Sequence, residues 1–199
     1  MGRSNAGRRR PGTARATSSR APGTTAPPGG ALPLEEATQP RSWHSFELRP
    51  LTDPSDARPL FEFAAVPWPD PRHVAFGWGA APVNGRMIAA VLAERAGRAV
   101  FLHGPLIAAT DAGALAADPL QLAGELLTCA LRHAGAIGAD TAFTRPQGLD
   151  RVWVRFGFIP VPEAALPAAL AGREGAGLYG WRGGSALWTL RDTGDRSAA

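Results

Sequence analysis

Val74, Phe76 and Trp78 alternate with Ala75, Gly77 and Gly79, so this stretch has one bulky face and one nearly bare face. A period of two is the period of a strand. Asn84-Gly85 follows, a pair suited to a type I′ hairpin turn, where both central residues need φ > 0. Met87 to Glu94 makes the return strand, Gly97 marks a second reversal, and Val100 to Ala108 makes a third strand. Residues 74–108 therefore predict an antiparallel three-strand meander.

Elements on either side extend that frame. Trp43 to Leu51 reads as a first strand, and Asp53-Pro54 opens a short helix carrying Leu60, Phe61 and Ala64. Aspartate as N-cap with proline at the first helical position is a strong start signal. Asp118-Pro119 repeats it before the clearest helix in the chain. There Gln121, Glu125, Thr128 and Arg132 share one stripe, and Leu120, Ala123, Leu127, Leu131 and Ala134 share an apolar one. That helix should end at Gly135 or Gly138. A strand is expected near Thr141–Thr144, then a helix over Leu149–Phe156 closed by Gly157 in a left-handed C-cap with Phe158 packing behind it. Strand Phe158–Val161, a short helix over 163–171 and a terminal strand Ala186–Arg191 complete the expectation.

Composition locates the charge. Residues 1–41 hold seven Arg against two Glu, whereas residues 42–199 hold fourteen Arg against fifteen acids. The basicity of the chain thus belongs to its first segment, and the rest is nearly neutral. The first 31 residues contain no Leu, Ile, Val, Phe, Trp or Tyr, too little apolar surface to offset ordering entropy. We expect residues 1–41 to be a disordered Arg-rich tail, 42–192 to be the folded domain and 193–199 a C-terminal tail. The Arg8-Arg9-Arg10 run could bind nucleic acid or an acidic membrane, or simply be a solvated extension. Nucleic-acid association through it would fall steeply with salt and vanish on deleting residues 1–41. No apolar run approaches the roughly 18–20 residues of a membrane span, and no secretory h-region follows the arginines. One cysteine, Cys129, excludes a disulfide scaffold, and four histidines without ligand spacing make a metal site an unpromising reading.

The order strand, helix, three-strand meander, long helix, strand, helix, strand resembles the GNAT superfamily of acyl-CoA N-acyltransferases. The words V-W-V-R-F-G-F-I-P-V-P at 152–162 are similar to that superfamily's late helix and closing strand. The resemblance spans about residues 43–191 in element order and the last third in recognisable sequence. It implies a mixed α/β (α+β) fold, a mostly antiparallel central sheet with helices on both faces. It also implies acetyl-CoA, or another acyl-CoA, lying where the strand before the long helix splays from its neighbour. Backbone N–H groups at that helix's start would hold the pyrophosphate. The usual R/Q-x-x-G-x-G/A pattern is matched only by Gln121-Leu122-Ala123-Gly124-Glu125-Leu126, with Leu126 in place of the last small residue. Asp118, as N-cap, would compete for the same N–H groups.

Gly104-Pro105 interrupts the third strand, since proline cannot donate to a ladder and glycine often marks a bulge. The bulge is either part of a site or a plain irregularity. Within the resemblance, Leu106, Ile107 and Ala108 become the backbone partners of the pantetheine arm and thioester. Gln121 and Gly124 flank the phosphates, and Arg155, with Arg151 one turn before it, either meets a phosphate or stays solvated. His103 beside the bulge is the foremost candidate base, because a histidine titrates near the working pH, and Glu94 is the second. The family's helix tyrosine is replaced by Trp153, which leaves Tyr179, either a proton donor brought in by its loop or a surface aromatic. The expected protein is a cytoplasmic N-acyltransferase acting directly on a small-molecule or peptide amine. The alternative is a catalytically degenerate relative that binds a ligand or partner. No motif in the chain specifies the acceptor, the acyl chain or the oligomeric state.

Overall fold

A computed structural model of the protein describes residues 32–108, 118–173 and 186–191. A described helix precedes the expected boundary at residue 41. Helix α1 (Leu34–Ala37) buries Ala37 and packs on the long helix of residues 119–136, with Glu36 3.9 Å from Arg132. The segment 34–41 is thus part of the fold, anchored by the buried Ala37. The single strand expected from Trp43 to Leu51 is a hairpin, β1 (Arg41–Trp43) and β2 (Phe46–Pro50), turned at His44 with φ 52°. Asp53 caps as predicted: its Oδ1 accepts the Ser55 N–H at 2.8 Å, and Pro54 opens a 3-10 turn that runs into α2 (Arg58–Phe63).

The meander follows as β3 (Val74–Pro82), β4 (Ala89–Ala96) and β5 (Ala99–Ile107). Its first turn differs from the expected type I′. Asn84 takes φ 61° but Gly85 stays outside the positive region, and its N–H closes a turn onto the Pro82 carbonyl at 2.8 Å. The bare face of β3 explains the longer connection. A Cβ at Gly79 would fall 2.9 Å from Leu51 Cδ2 and 3.0 Å from Met87 Cε, so Met87 caps this face instead of joining the return strand.

Helix α3 (Pro119–Ala136) crosses over to β6 (Thr141–Thr144), which lies parallel to β5. Then come α4 (Asp150–Arg155), β7 (Ile159–Pro160), α5 (Ala168–Ala171) and β8 (Trp188–Arg191). Pro167 splits the expected helix over 163–171 into a 3-10 turn and α5. The sheet order is β1-β2-β3-β4-β5-β6-β8-β7, antiparallel except for the β5–β6 pair. Helices cover both faces. On one, α3 buries Leu122, Leu126 and Leu127 with Trp78, Val100, Leu102, Trp153 and Phe158. On the other, Leu60 and Phe61 of α2 meet Leu92 and Leu106, and Leu166 and Leu170 near α5 meet Phe101 and Phe143. Leu120, expected in the apolar stripe of α3, is instead 39% exposed in its first turn.

The end of α4 is as the sequence predicts. Gly157 takes φ 86°, its N–H donates to the Val154 carbonyl at 2.9 Å, and the Phe158 N–H donates to the Trp153 carbonyl at 3.1 Å. That is a Schellman closure, and the Trp153 and Phe158 rings meet edge-on at 4.8 Å.

Candidate active site

The irregularity at Gly104-Pro105 is a bulge in β5. Leu92 opposes His103 and Ala90 opposes Leu106, so two steps along β4 match three along β5. Gly104 sits at φ 92°, and a Cβ there would lie 2.9 Å from the Ala90 carbonyl, so only glycine fits this approach. The extra residue restores the side-chain parity, which puts His103 and Leu106 on the α2 side of the sheet. The bulge also coincides with the parting of the parallel pair. Pairing between β5 and β6 runs from Ala99↔Thr141 to Leu102↔Thr144 and stops, and the Thr144 hydroxyl donates to the Leu102 carbonyl at 3.1 Å there. From His103 to Ile107, β5 has no strand on that side among the described residues.

At this vertex lies a buried charged cluster. His103 Nε2 is 3.1 Å from Glu94 Oε1, and Arg173 Nη1 donates to Glu94 Oε2 at 2.9 Å. Glu94 is wholly buried and the His103 side chain is 4% exposed. An ionised carboxylate has only acceptors, so Nε2 is the nitrogen that carries the proton in this pair. Burial pushes the Glu94 carboxyl up, but hydrogen bonds from His103 and Arg173 outweigh it and hold the group below its ordinary value. Phe101, 4.9 Å from the His103 ring, walls it on its own strand.

A groove of about 510 Å³ opens on the other face, between the first half of α3 and α4. Gln121, Gly124 and Arg155, the three groove residues expected from the sequence, line it together, with Asp118, Arg151 and Trp43. Arg151 and Arg155 are exposed and make no ion pair among the described residues. The start of α3 has no spare donors: Pro119 has no N–H, the Leu120 N–H goes to Asp118 Oδ1 at 2.9 Å, and those of Gln121 and Leu122 go to the Asp118 carbonyl. The predicted competition at Asp118 is therefore real. A phosphate-bearing ligand fits this groove by its size and its two unpaired guanidiniums, and finds no free amide on the first turn of α3.

The other expected residues divide. Ala108 is not a free donor, because its N–H is bound to the Ile88 carbonyl at 2.8 Å. Leu106 is buried against α2 in the second core cluster, while Ile107 packs half-buried toward α3. Tyr179 lies outside the described residues. Trp153, in the family tyrosine's place, is a core residue 1% exposed. Sequence reasoning missed Arg173. Its one signal was isolation, as the only cation between Arg155 and Arg182.

No protein-family model matches the sequence, and no curated protein does. Solved structures do resemble it in fold. An acetyltransferase from Streptococcus agalactiae 2603 superposes with a TM-score of 0.51 at 11% identity, covering 75% of this chain and 99% of its own. N-acetylglutamate synthase from Neisseria gonorrhoeae, solved with coenzyme A and N-acetyl-glutamate, gives 0.50 at 15% identity over 76% of this chain. The match covers 35% of the synthase, about a third of it. The GNAT family N-acetyltransferase YhbS from Escherichia coli, in complex with CoA, gives 0.48 at 17% identity, with 78% and 86% covered. At such identities the likeness is one of fold alone, shared with the two acetyl-transferring proteins that reach a TM-score of 0.50 or more.

Proposed function

We propose that this chain is an acyl-CoA-dependent N-acyltransferase that acts on an amine held at the vertex of β5 and β6. The observation that carries the reading is the parting of these strands after Leu102, with His103 as the first residue beyond it. The expected groove toward Asp118 lies on the α3 side of the same sheet, and Arg151 and Arg155 are the residues that would hold the cofactor's phosphates. Gln121 and Gly124 would flank it there, and the run of Leu106 and Ile107, paired to β4 but with no described strand on its β6 side, would lie along its arm. The acyl-CoA, acetyl-CoA in the simplest case, supplies an activated thioester carbonyl.

His103 accepts the proton released as the amine nitrogen bonds to the carbonyl carbon and the carbon–sulfur bond breaks, and solvent protonates the departing thiolate. Glu94 holds the imidazole in place from behind. Base catalysis of this kind contributes roughly 10²–10⁴ in rate. The loss of the helix tyrosine leaves this base as the group on which turnover depends.

Titrating acetyl-CoA into the full chain by calorimetry, with thiol release followed over a panel of amines, tests the reading. Saturable binding is expected, weakened at least tenfold in the Arg151→Ser, Arg155→Ser double variant. His103→Ala should keep the binding and lose most of the turnover. Binding without thiol release on any amine would leave a ligand-binding relative instead, and no binding would end both.

A further inference from the structure

We infer that Arg173 is a positioning residue: by ion-pairing with Glu94 it fixes the proton of His103 on Nε2 and leaves Nδ1 as the nitrogen that accepts the substrate's proton. The inference rests on the transferase reading for its catalytic meaning, but its geometry stands on three residues alone. Glu94 comes from β4, His103 from β5, and Arg173 from the segment just after α5, 79 residues from its partner. The two carboxylate oxygens are divided, Oε1 to His103 and Oε2 to Arg173, so neither contact displaces the other. Arg173 is itself fixed by a second bond from Nη1 to the Arg95 carbonyl at 3.3 Å, and its side chain is 19% exposed.

These three are the charged groups bonded within the cluster among the described residues; past the end of β6, Arg145, its side chain 7% exposed, is paired with Glu163. The elements around it present apolar side chains among the described residues: Val74 opposite Glu94 on β3, Leu92 and Phe101 on the strands themselves, Phe143 on β6, and Leu166 and Leu170 beside α5. With Arg173 in place, cation, carboxylate and neutral imidazole sum to zero, and a further proton would leave a net charge in a buried site. Without Arg173 the carboxylate and imidazole sum to minus one, and a proton neutralises them. Arg173 therefore holds the Glu94 carboxylate ionised to a lower pH than a lone Glu–His pair would, and an ionised Glu94 keeps the His103 proton on Nε2.

The test is ¹⁵N spectroscopy of the four histidine rings in the full chain across pH, with His103 assigned by a His103→Gln variant. The expected wild-type spectrum shows Nε2 protonated and Nδ1 bare above pH 8. In Arg173→Met the pair should take up its proton about one pH unit higher or more, and the acid limb of kcat/KM should move up with it. Arg173→Lys, which restores the charge, should return both toward wild type. If Arg173→Met fails to fold, Arg173→Gln serves for the same comparison with Arg173→Lys. An Nδ1–H tautomer in the wild type, or proton uptake unmoved by loss of the cation, overturns the inference. The spectra judge Arg173 whether or not any amine is acylated, and thiol release judges the transferase reading separately.

Discussion

Strands β4 and β5 bury two unlike interiors on their two sides. Toward α3 they present Val91, Ala93, Val100 and Leu102, all among apolar neighbours. Toward α2 and α5 the intervening residues are Leu92, Glu94, Phe101 and His103. The first side is held by shape and area, so it should respond to lost volume. The second adds a buried match of charges to its apolar clusters, so it should also respond to lost charge even where volume is kept. One period of alternation thus separates what keeps the sheet folded from what the proposed chemistry needs.

The largest effect should come from volume on the α3 side. Trp153→Ala removes a ring that is 1% exposed and seated against Phe158, and should cost about 3–5 kcal/mol in urea unfolding. The near-isosteric Leu127→Met on the same side should cost less than about 1.5 kcal/mol. Glu94→Gln keeps volume on the opposite side but leaves Arg173 without its anion, for an expected loss of about 1–3 kcal/mol and most of the turnover. Should Glu94→Gln prove milder than Leu127→Met, the distinction between the two sides fails.

Acid should weaken the two sides in sequence. His133 of α3 accepts the Trp78 indole N–H on Nδ1 at 3.3 Å and stacks on Phe76 at 4.1 Å. Burial holds its pKa below the ordinary value near 6.5. The unfolded chain therefore binds this proton first as pH falls, so the contribution is full above about pH 6.5 and is lost as pH drops through the folded value. Glu94 is also depressed, so its contribution is intact above the ordinary carboxylate range and fades only below it. Unfolding free energies measured from pH 8 to 4 should decline below about 6.5, and His133→Gln should flatten that first decline while leaving the lower one. An unchanged slope in His133→Gln would detach His133 from acid sensitivity.

What was legible in the sequence follows the range of the interactions. The Gly157 closure involves residues 153–158 only, and it stands where the words R-F-G-F put it. The strands of the meander, the Asp53 and Asp118 caps and the end of α3 are equally local. Asn84-Gly85 misled because Met87 and Leu51 cover the bare face of β3, a tertiary demand that overrides turn preference. His103 and Glu94 were named singly, and their contact follows from the β4–β5 register. Arg173 could not be paired by any local rule, since its partner lies 79 residues away in the sequence. The free amides expected at α3 were lost to Asp118, a conflict visible in the sequence and now seen to be complete on the first turn.

The smallest predicted effect on stability bears most directly on the groove. Gly124 lies inside α3, where glycine is roughly 0.5–1 kcal/mol worse than alanine. A Cβ there would meet nothing closer than Phe156 Cε2 at 3.9 Å, an ordinary contact. Gly124→Ala should therefore stabilise the fold by about that amount, raising the urea midpoint at an unchanged slope. The same methyl group would stand in the groove between α3 and α4, beside Arg155. Affinity for coenzyme A should fall severalfold while stability rises, opposite signs from one substitution. If affinity is untouched, the phosphates do not run past Gly124, and Arg151 and Arg155 serve only as solvated charges on the far side of a sheet whose chemistry lies with Glu94 and His103.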